Sequence, residues 1–281
     1  MVNKETWHLL DSGKHDAAVN MAIDEALIHW HSKNEIGPTL RFYGWNKPSL
    51  SIGYFQDVAK TIDLSGVKKH GCHMVRRLTG GSAVLHDNEL TYSIVVSESH
   101  PKIPKSINQA YFTLAQGILQ GYRYLDIEAD FSLPEQPNRE RSAVCFETPA
   151  NYEMIVDGKK LTGNAQTRKN GVLLQHGSIP FSFDPDMLFD LFHFPSERIR
   201  QQQRNRFINK AISINEITGE KHHYSKVRNA FHSGFKDALH IETRNLTLSS
   251  DQWDYIHFLA DTKYRSQAWN SEKKQSLERG S

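Results

Sequence analysis

The sequence predicts an α+β fold, a mixed, largely antiparallel sheet flanked by helices. Strand-like and helix-like segments are both abundant, yet they do not alternate as regular βαβ units. Two dipeptides, Asp157-Gly158 and Asn170-Gly171, punctuate three consecutive strand-like segments. Both accept the positive φ of tight two-residue hairpin turns. Elsewhere apolar residues recur at helical spacing in several segments.

Taken in order, Val19, Ile23, Leu27 and Trp30 define an amphipathic helix within residues 15–33. Short strands from Leu40 to Tyr43 and from Leu50 to Tyr54 flank the turn Asn46-Lys47-Pro48. Residues 73–77 read as a strand entering a glycine loop. Leu90, Tyr92, Ile94 and Val96 alternate with polar residues from Glu89 to Ser97, which predicts a half-buried strand. Ile107, Tyr111, Leu114, Ile118 and Leu125 give a helix over 106–125. The polar stretch Pro134 to Ser142 predicts a mobile loop. Tyr152 to Val156, Lys160 to Thr167 and Val172 to Phe183 then read as a three-stranded meander. A short helix is expected over 185–193, and another carries Val227, Phe231, Phe235 and Leu239. Ser249 or Ser250 caps a last helix with Trp253, Ile256, Leu259 and Tyr264. We expect one domain over 1–270 and a disordered tail over 271–281, where Leu277-Glu278 has the look of a cloning scar.

Composition narrows the function. Lys and Arg number 34 against 32 acidic residues, a net charge of +2 that argues against a general nucleic-acid binder. Neither a signal peptide nor a run of roughly 18–20 apolar residues is visible, so we expect a cytoplasmic protein without membrane contact. Two cysteines, Cys72 and Cys145, make no disulfide framework; in a reducing compartment each is core filler or nucleophile. No metal site is expected: Cys-x-x-Cys and His-Glu-x-x-His are absent, and His29/His31 and His222-His223 have the wrong spacing.

Three stretches carry the residue types of a reactive site. In Arg76-Arg77-Leu78-Thr79-Gly80-Gly81-Ser82-Ala83-Val84-Leu85-His86-Asp87, two glycines let backbone N–H groups approach an anion or carbonyl. The bland alternative is a turn with two surface arginines; neither a Walker loop nor a dinucleotide fingerprint is present. Cys145 sits on a loop, where a thiol is better placed for attack than for packing, although an arbitrary cysteine is more often buried and inert. Cys72 has no motif around it and reads as packing. In Gly158-Lys159-Lys160-Leu161-Thr162-Gly163-Asn164-Ala165-Gln166, strand alternation sends Lys159 and Lys160 to opposite faces, one toward solvent and one toward the site. A basic hairpin edge that discourages strand pairing is the plain alternative. Arg198, Arg200, Arg204, Arg206 and Lys210 form a basic stretch, by default solvated and otherwise a docking surface for an acidic protein.

Together these stretches resemble the superfamily of lipoate ligases, octanoyltransferases and biotin ligases. The pattern Arg76-Arg77-x-Thr79-Gly80-Gly81-x-Ala83-Val84-x-His86-Asp87 is similar to its substrate-binding loop, and Lys160-x-x-Gly163-x-Ala165-Gln166 to its lysine strand. Within it, Cys145-Phe146-Glu147-Thr148-Pro149-Ala150-Asn151-Tyr152-Glu153 resembles the motif of the LipM-type octanoyltransferases of Gram-positive bacteria. The likeness runs from Trp7 to about Trp269, departing at Asn164, where Ser is usual, and at Ser82-Ala83.

The resemblance implies a biotin/lipoate ligase catalytic-domain-like fold and an acyltransferase without cofactor. Its donor would be octanoyl-acyl carrier protein, and its acceptor the lysine of an apo lipoyl domain, in this family the glycine cleavage H protein. Cys145 would carry the octanoyl group as a thioester and Lys160 would move protons. Arg76, Arg77, Thr79, Gly80, Gly81, Ala83, His86, Gly163 and Ala165 would bind substrate. An ATP-dependent lipoate ligase would instead work without Cys145 and require ATP with magnesium. An amidotransferase between lipoyl domains would use an amide donor, and a pure binding protein would need neither Cys145 nor Lys160.

Overall fold

Aromatic and branched aliphatic residues crowd both faces of three segments, 39–45, 89–97 and 172–180, and this double-sided burial makes them the middle of the molecule. The computed structural model describes residues 4–132 and 154–272. Its strands are β1 (Glu5–His15), β2 (Thr39–Trp45), β3 (Ser49–Ile52), β4 (His73–Arg76), β5 (Val84–His86), β6 (Glu89–Ser97), β7 (Asp130–Phe131), β8 (Met154–Val156), β9 (Lys159–Lys160), β10 (Gly163–Lys169), β11 (Val172–Pro180) and β12 (Ile241–Asn245). Its helices are α1 (Ala17–Ser32), α2 (Val58–Thr61), α3 (Leu64–Lys69), α4 (Ile107–Arg123), α5 (Pro185–Asp190), α6 (Glu197–Lys210), α7 (Ile214–Thr218), α8 (Tyr224–Leu239), α9 (Ser250–Leu259) and α10 (Gln267–Ser271), with a π-helical turn Ala260–Tyr264 after α9.

Six strands form the main sheet in the order β10-β11-β6-β2-β1-β12. Pairing is antiparallel from β10 to β2 and parallel from β2 through β1 to β12. The mixed sheet flanked by helices is therefore the predicted α+β class. One face packs Trp7, Phe42, Tyr92 and Ile94 against Leu114, Ile118, Phe231 and Phe235 of α4 and α8. The other packs Tyr43, Trp45, Val95 and Leu174 against Ile23, Leu27 and Ile256 of α1 and α9. A small sheet, β4-β3-β5, has its own core with α5 and Phe207 of α6. No helix among the described residues is long and apolar enough to cross a membrane.

Two expectations change. The 89–97 strand is buried on both faces up to Val96, because helices cover its polar side as well. Thr91 and Ser93 tolerate this by hydrogen bonding to Trp45 Nε1 and Asp24 Oδ1. The meander is divided between two sheets. Both hairpin turns form, with φ of 51° and 72° at Asp157 and Gly158 and 54° and 73° at Asn170 and Gly171. Its middle strand, however, breaks at Leu161 and Thr162. There the Leu161 amide donates to Met154 O at 2.9 Å, and Thr162 Oγ1 meets the Tyr122 hydroxyl at 2.5 Å. β8 and β9 thus join β7 in a separate three-stranded sheet, while β10 extends the main one.

Ser249, not Ser250, caps α9, in a reciprocal pair with Gln252. Cys72 is core: its Sγ lies 3.9 Å from Met187 Sδ, and burial together with the nearby Asp87 charge pushes its thiol up to about 11. The stretch 134–142, Cys145 and the tail beyond 272 lie outside the described residues.

Helices α4 and α8 approach through glycines. A methyl group at Gly234 would sit 2.4 Å from the backbone nitrogen of Gly121 and 2.7 Å from Gly117 O, so the helices would have to separate. We predict that Gly234→Ala destabilises the fold by about 1–3 kcal/mol, the cost of overpacking, despite the better helix propensity of alanine. Chemical denaturation checks this; an unchanged midpoint would show that the two helices have slack.

Candidate active site

Buried charge organises the site. Arg77, the residue after β4, is only 3% exposed, so its guanidinium must find acceptors inside the protein. It does: Nη1 donates to Ser51 O and Oγ, Nη2 to Gly80 O at 2.7 Å and Ser82 O at 2.8 Å, and Nε to Thr79 Oγ1 at 3.0 Å. The glycine loop is therefore wrapped around its own arginine. Gly81 completes the wrap at φ +93°, which a side chain would resist. Gly53 lets the loop press onto the segment after β3, since a Cβ there would lie 1.9 Å from Gly81 O. The carbonyls face inward, and no described residue accepts from the amides of Gly80 and Gly81.

A directed hydrogen-bond chain continues from the arginine. Because Arg77 donates to Thr79 Oγ1, the threonine hydroxyl is oriented toward His176 Nε2, 2.6 Å away. His176 Nδ1 faces Asp24 Oδ2 at 3.6 Å. Burial holds His176 below the usual imidazole value despite the pull of Asp24, so it is neutral. Burial acts the other way on Asp24, but the Arg41 charge, His176 and Ser93 outweigh it and keep the carboxyl below its ordinary range. Arg41, fully buried, donates to Asp24 Oδ1 at 2.7 Å and to Asn20 O and Oδ1, and lies 3.8 Å over the Tyr43 ring.

A second chain runs alongside. His86 Nδ1 meets Glu89 Oε1 and its Nε2 meets Ser51 Oγ, both at 2.8 Å. With the Glu89 carboxylate accepting from Nδ1–H, Nε2 is the acceptor for the serine hydroxyl. The Trp45 ring stacks on His86 at 4.2 Å.

Both chains border one partly open cavity. Met21, Tyr43, Val84, Gly163, Ala165 and Gly177 supply much of its wall, with Arg77, Gly81, His86, His176 and Asn164 as polar points. Apolar walls with few polar groups suit an acyl chain ending in a carbonyl. Asn164 fits because Gly177 opposite has no side chain: a Cβ there would lie 1.9 Å from Asn164 Oδ1. The Asn164 amide bridges Tyr92 and Tyr111, accepting from the first at 2.9 Å and donating to the second at 3.1 Å.

The structure thus brings Arg77, Gly81, His86, Gly163 and Ala165 to the cavity wall, with Thr79 and Gly80 immediately behind it. Arg76 faces away: its guanidinium donates to the carbonyls of Gly53, Tyr54, Gln56, Trp269 and Asn270, tying α10 to the loop after β3. Ala83 packs in the small-sheet core. Lys160 is 1% exposed in β9, three residues before the cavity-lining Gly163, while Lys159 beside it is partly exposed. Sequence reasoning missed Asp24, Ser51, His176 and Gly177. The signal for the last two was a polar His-Gly step inside the apolar strand Leu173 to Ile179. Among the described residues no cluster could hold a metal ion.

Two predictions test this electrostatic frame. Asp24→Asn leaves the Arg41 guanidinium buried without its anion and should cost about 3–5 kcal/mol of stability; a loss under 1 kcal/mol in denaturant titration would contradict it. His176 titrates below its free value of 6.5, so the unfolded chain binds the proton first and stability falls as pH drops through and below that value. His176→Gln should lose less stability than wild type between about pH 7 and pH 5. Parallel melting curves across that range would refute the assignment.

Residues 16–236 match the lipoyl protein ligase A/B catalytic domain. The octanoyltransferase LipM of Oceanobacillus iheyensis is 55% identical over 93% of this chain and 95% of its own. That of Bacillus subtilis is 48% identical over 96% and 99%. The bipartite lipoate protein ligase of the lipoylation system of Thermoplasma acidophilum superposes with a TM-score of 0.78 at 26% identity, covering 97% of this chain and 98% of that one. The chain belongs to the lipoyl protein ligase A/B catalytic-domain family and, within it, to the LipM-type octanoyltransferases.

Proposed function

We propose that this octanoyltransferase takes its acyl group from octanoyl-acyl carrier protein. It would hold that group as a thioester on Cys145 and deliver it to a lysine of an apo lipoyl domain, the glycine cleavage H protein. The observation that carries the reading is the burial of Lys160 three residues ahead of an apolar, polar-tipped cavity. An enzyme that moves protons between a thiol and an amine needs such a group.

In the first step the Cys145 thiolate attacks the octanoyl carbonyl. The carrier thiol leaves with a proton from Lys160, and one thioester replaces another at little cost. In the second step the acceptor lysine amine attacks, an amide forms, and Lys160 takes the surplus proton as the Cys145 thiolate returns. Exchange of a thioester for an amide runs downhill, so no ATP is required. The Gly80 and Gly81 amides, which no described residue engages, supply N–H groups for the oxyanion, and the octanoyl tail lies along Met21, Tyr43 and Val84. Arg77 and His86 shape the loop and the cavity wall. The reaction suits the cytoplasm, where Cys145 stays reduced.

Intact-protein mass spectrometry after mixing with octanoyl-acyl carrier protein should show one octanoyl-sized gain, absent in Cys145→Ala and discharged by an apo lipoyl domain. Lys160→Ala should fold yet turn over at least about 100-fold more slowly, the usual scale of a lost acid–base group. Full transfer by Cys145→Ala, or a strict need for ATP and magnesium, would instead establish a ligase.

A further inference from the structure

The basic stretch 198–210 has no role in the chemistry above, yet its position is specific. It folds as α6, capped by Ser196 and anchored by Phe207. Arg200 and Arg204 are neutralised by Asp190 and Asp186 at 2.5 Å and 2.8 Å. Arg198, Arg206 and Lys210 have no ion-pair partner among the described residues. At 100° per residue Arg198 and Arg206 fall with Gln202, Asn205 and Asn209 on a face turned away from Phe207, and Lys210 sits at its edge, about 60° from Phe207. All six are exposed, and no acid interrupts them.

The C-terminal end of this face abuts the lysine strand. Ile212 N donates to Lys160 O at 3.0 Å, and Ala211 forms a parallel bridge with Lys160. The partly exposed Lys159 is its neighbour. From Lys210 the unpaired positive charge runs back to Arg198 over twelve residues, roughly 18 Å of helix.

We infer that the outer face of α6, Arg198, Arg206 and Lys210, docks the acidic acyl carrier protein that donates the octanoyl group; this rests on the transfer reaction proposed above. Charge selects an acidic partner, and reach selects the donor. An acyl group on a long flexible prosthetic arm crosses from a face extending about 18 Å beyond the lysine strand. An acceptor lysine, only one side chain long, must dock against the site itself. The chain as a whole carries a net charge of only +2, so the attraction is local to this helix and screened by salt.

The test is steady-state transfer by full-length Arg198→Glu/Arg206→Glu/Lys210→Glu, with the glutamine triple variant alongside to separate charge from folding. For octanoyl-acyl carrier protein the reversal should raise KM by about tenfold or more, with kcat preserved, and the glutamine variant should fall between. KM for octanoyl-pantetheine, which lacks the carrier, and for the apo lipoyl domain should stay within about twofold of wild type. Salt should raise the wild-type donor KM and leave the reversed variant nearly flat. An unchanged donor KM in a variant that turns over octanoyl-pantetheine normally overturns the docking face and leaves the transfer reaction intact. A rise for the apo lipoyl domain, alone or with the donor, overturns the assignment to the donor. Wild-type enzyme that accepts octanoyl from pantetheine but not from the carrier protein overturns both the donor and its docking face.

Discussion

A guanidinium that cannot reach water must be surrounded by oxygen, and Arg77 imposes that condition on everything near it. Its donors collect the carbonyls of Ser51, Gly80 and Ser82 and the Thr79 hydroxyl. Loop carbonyls turned inward leave loop amides turned outward, which is the polarity a developing oxyanion requires. The glycines follow from the same condition, because a loop wound this closely over β3 has no room for a side chain at Gly53.

From that arginine the polar order spreads inward. Thr79 relays it to His176, His176 to Asp24, and Asp24 to Arg41, so α1, β2, β11 and the loop after β4 share one buried network. Two buried guanidiniums and one carboxylate are expensive to desolvate, and their geometry is correspondingly complete. The benefit is rigidity: the cavity wall is held by hydrogen bonds at its polar points and by packing elsewhere. The Ser51–His86–Glu89 chain, joined to Arg77 at Ser51, braces more of the wall in the same manner.

Much of this was legible in the residues, for identifiable reasons. Asp157-Gly158 and Asn170-Gly171 announce their turns because few other pairs tolerate left-handed backbone twice. Helical spacing located α1, α4 and α8. What failed was long-range: β1 mixes polar and apolar residues and pairs with β12 more than 200 residues later, and no local pattern encodes that. The break of the meander at Leu161 depends on Tyr122 of α4, again a distant partner. At the site, the motif loop announced Arg77, Gly81 and His86. It gave no hint that Arg76 serves the C-terminal helix instead: alternation separates the two arginines, but which face lines the site shows only once the strand is placed. Asp24 and Ser51 carry no motif and became visible only through their partners.

The central claim is that Cys145 and the arginine-wrapped loop serve the same acyl chain. A crystal structure of the enzyme carrying a stable thioether-linked octanoyl analogue on Cys145 tests it most directly. The account predicts the eight-carbon chain inside the cavity between Met21, Tyr43, Val84 and Gly177, with its carbonyl end toward Gly80, Gly81 and Lys160. A chain bound elsewhere, with that cavity empty, would contradict it.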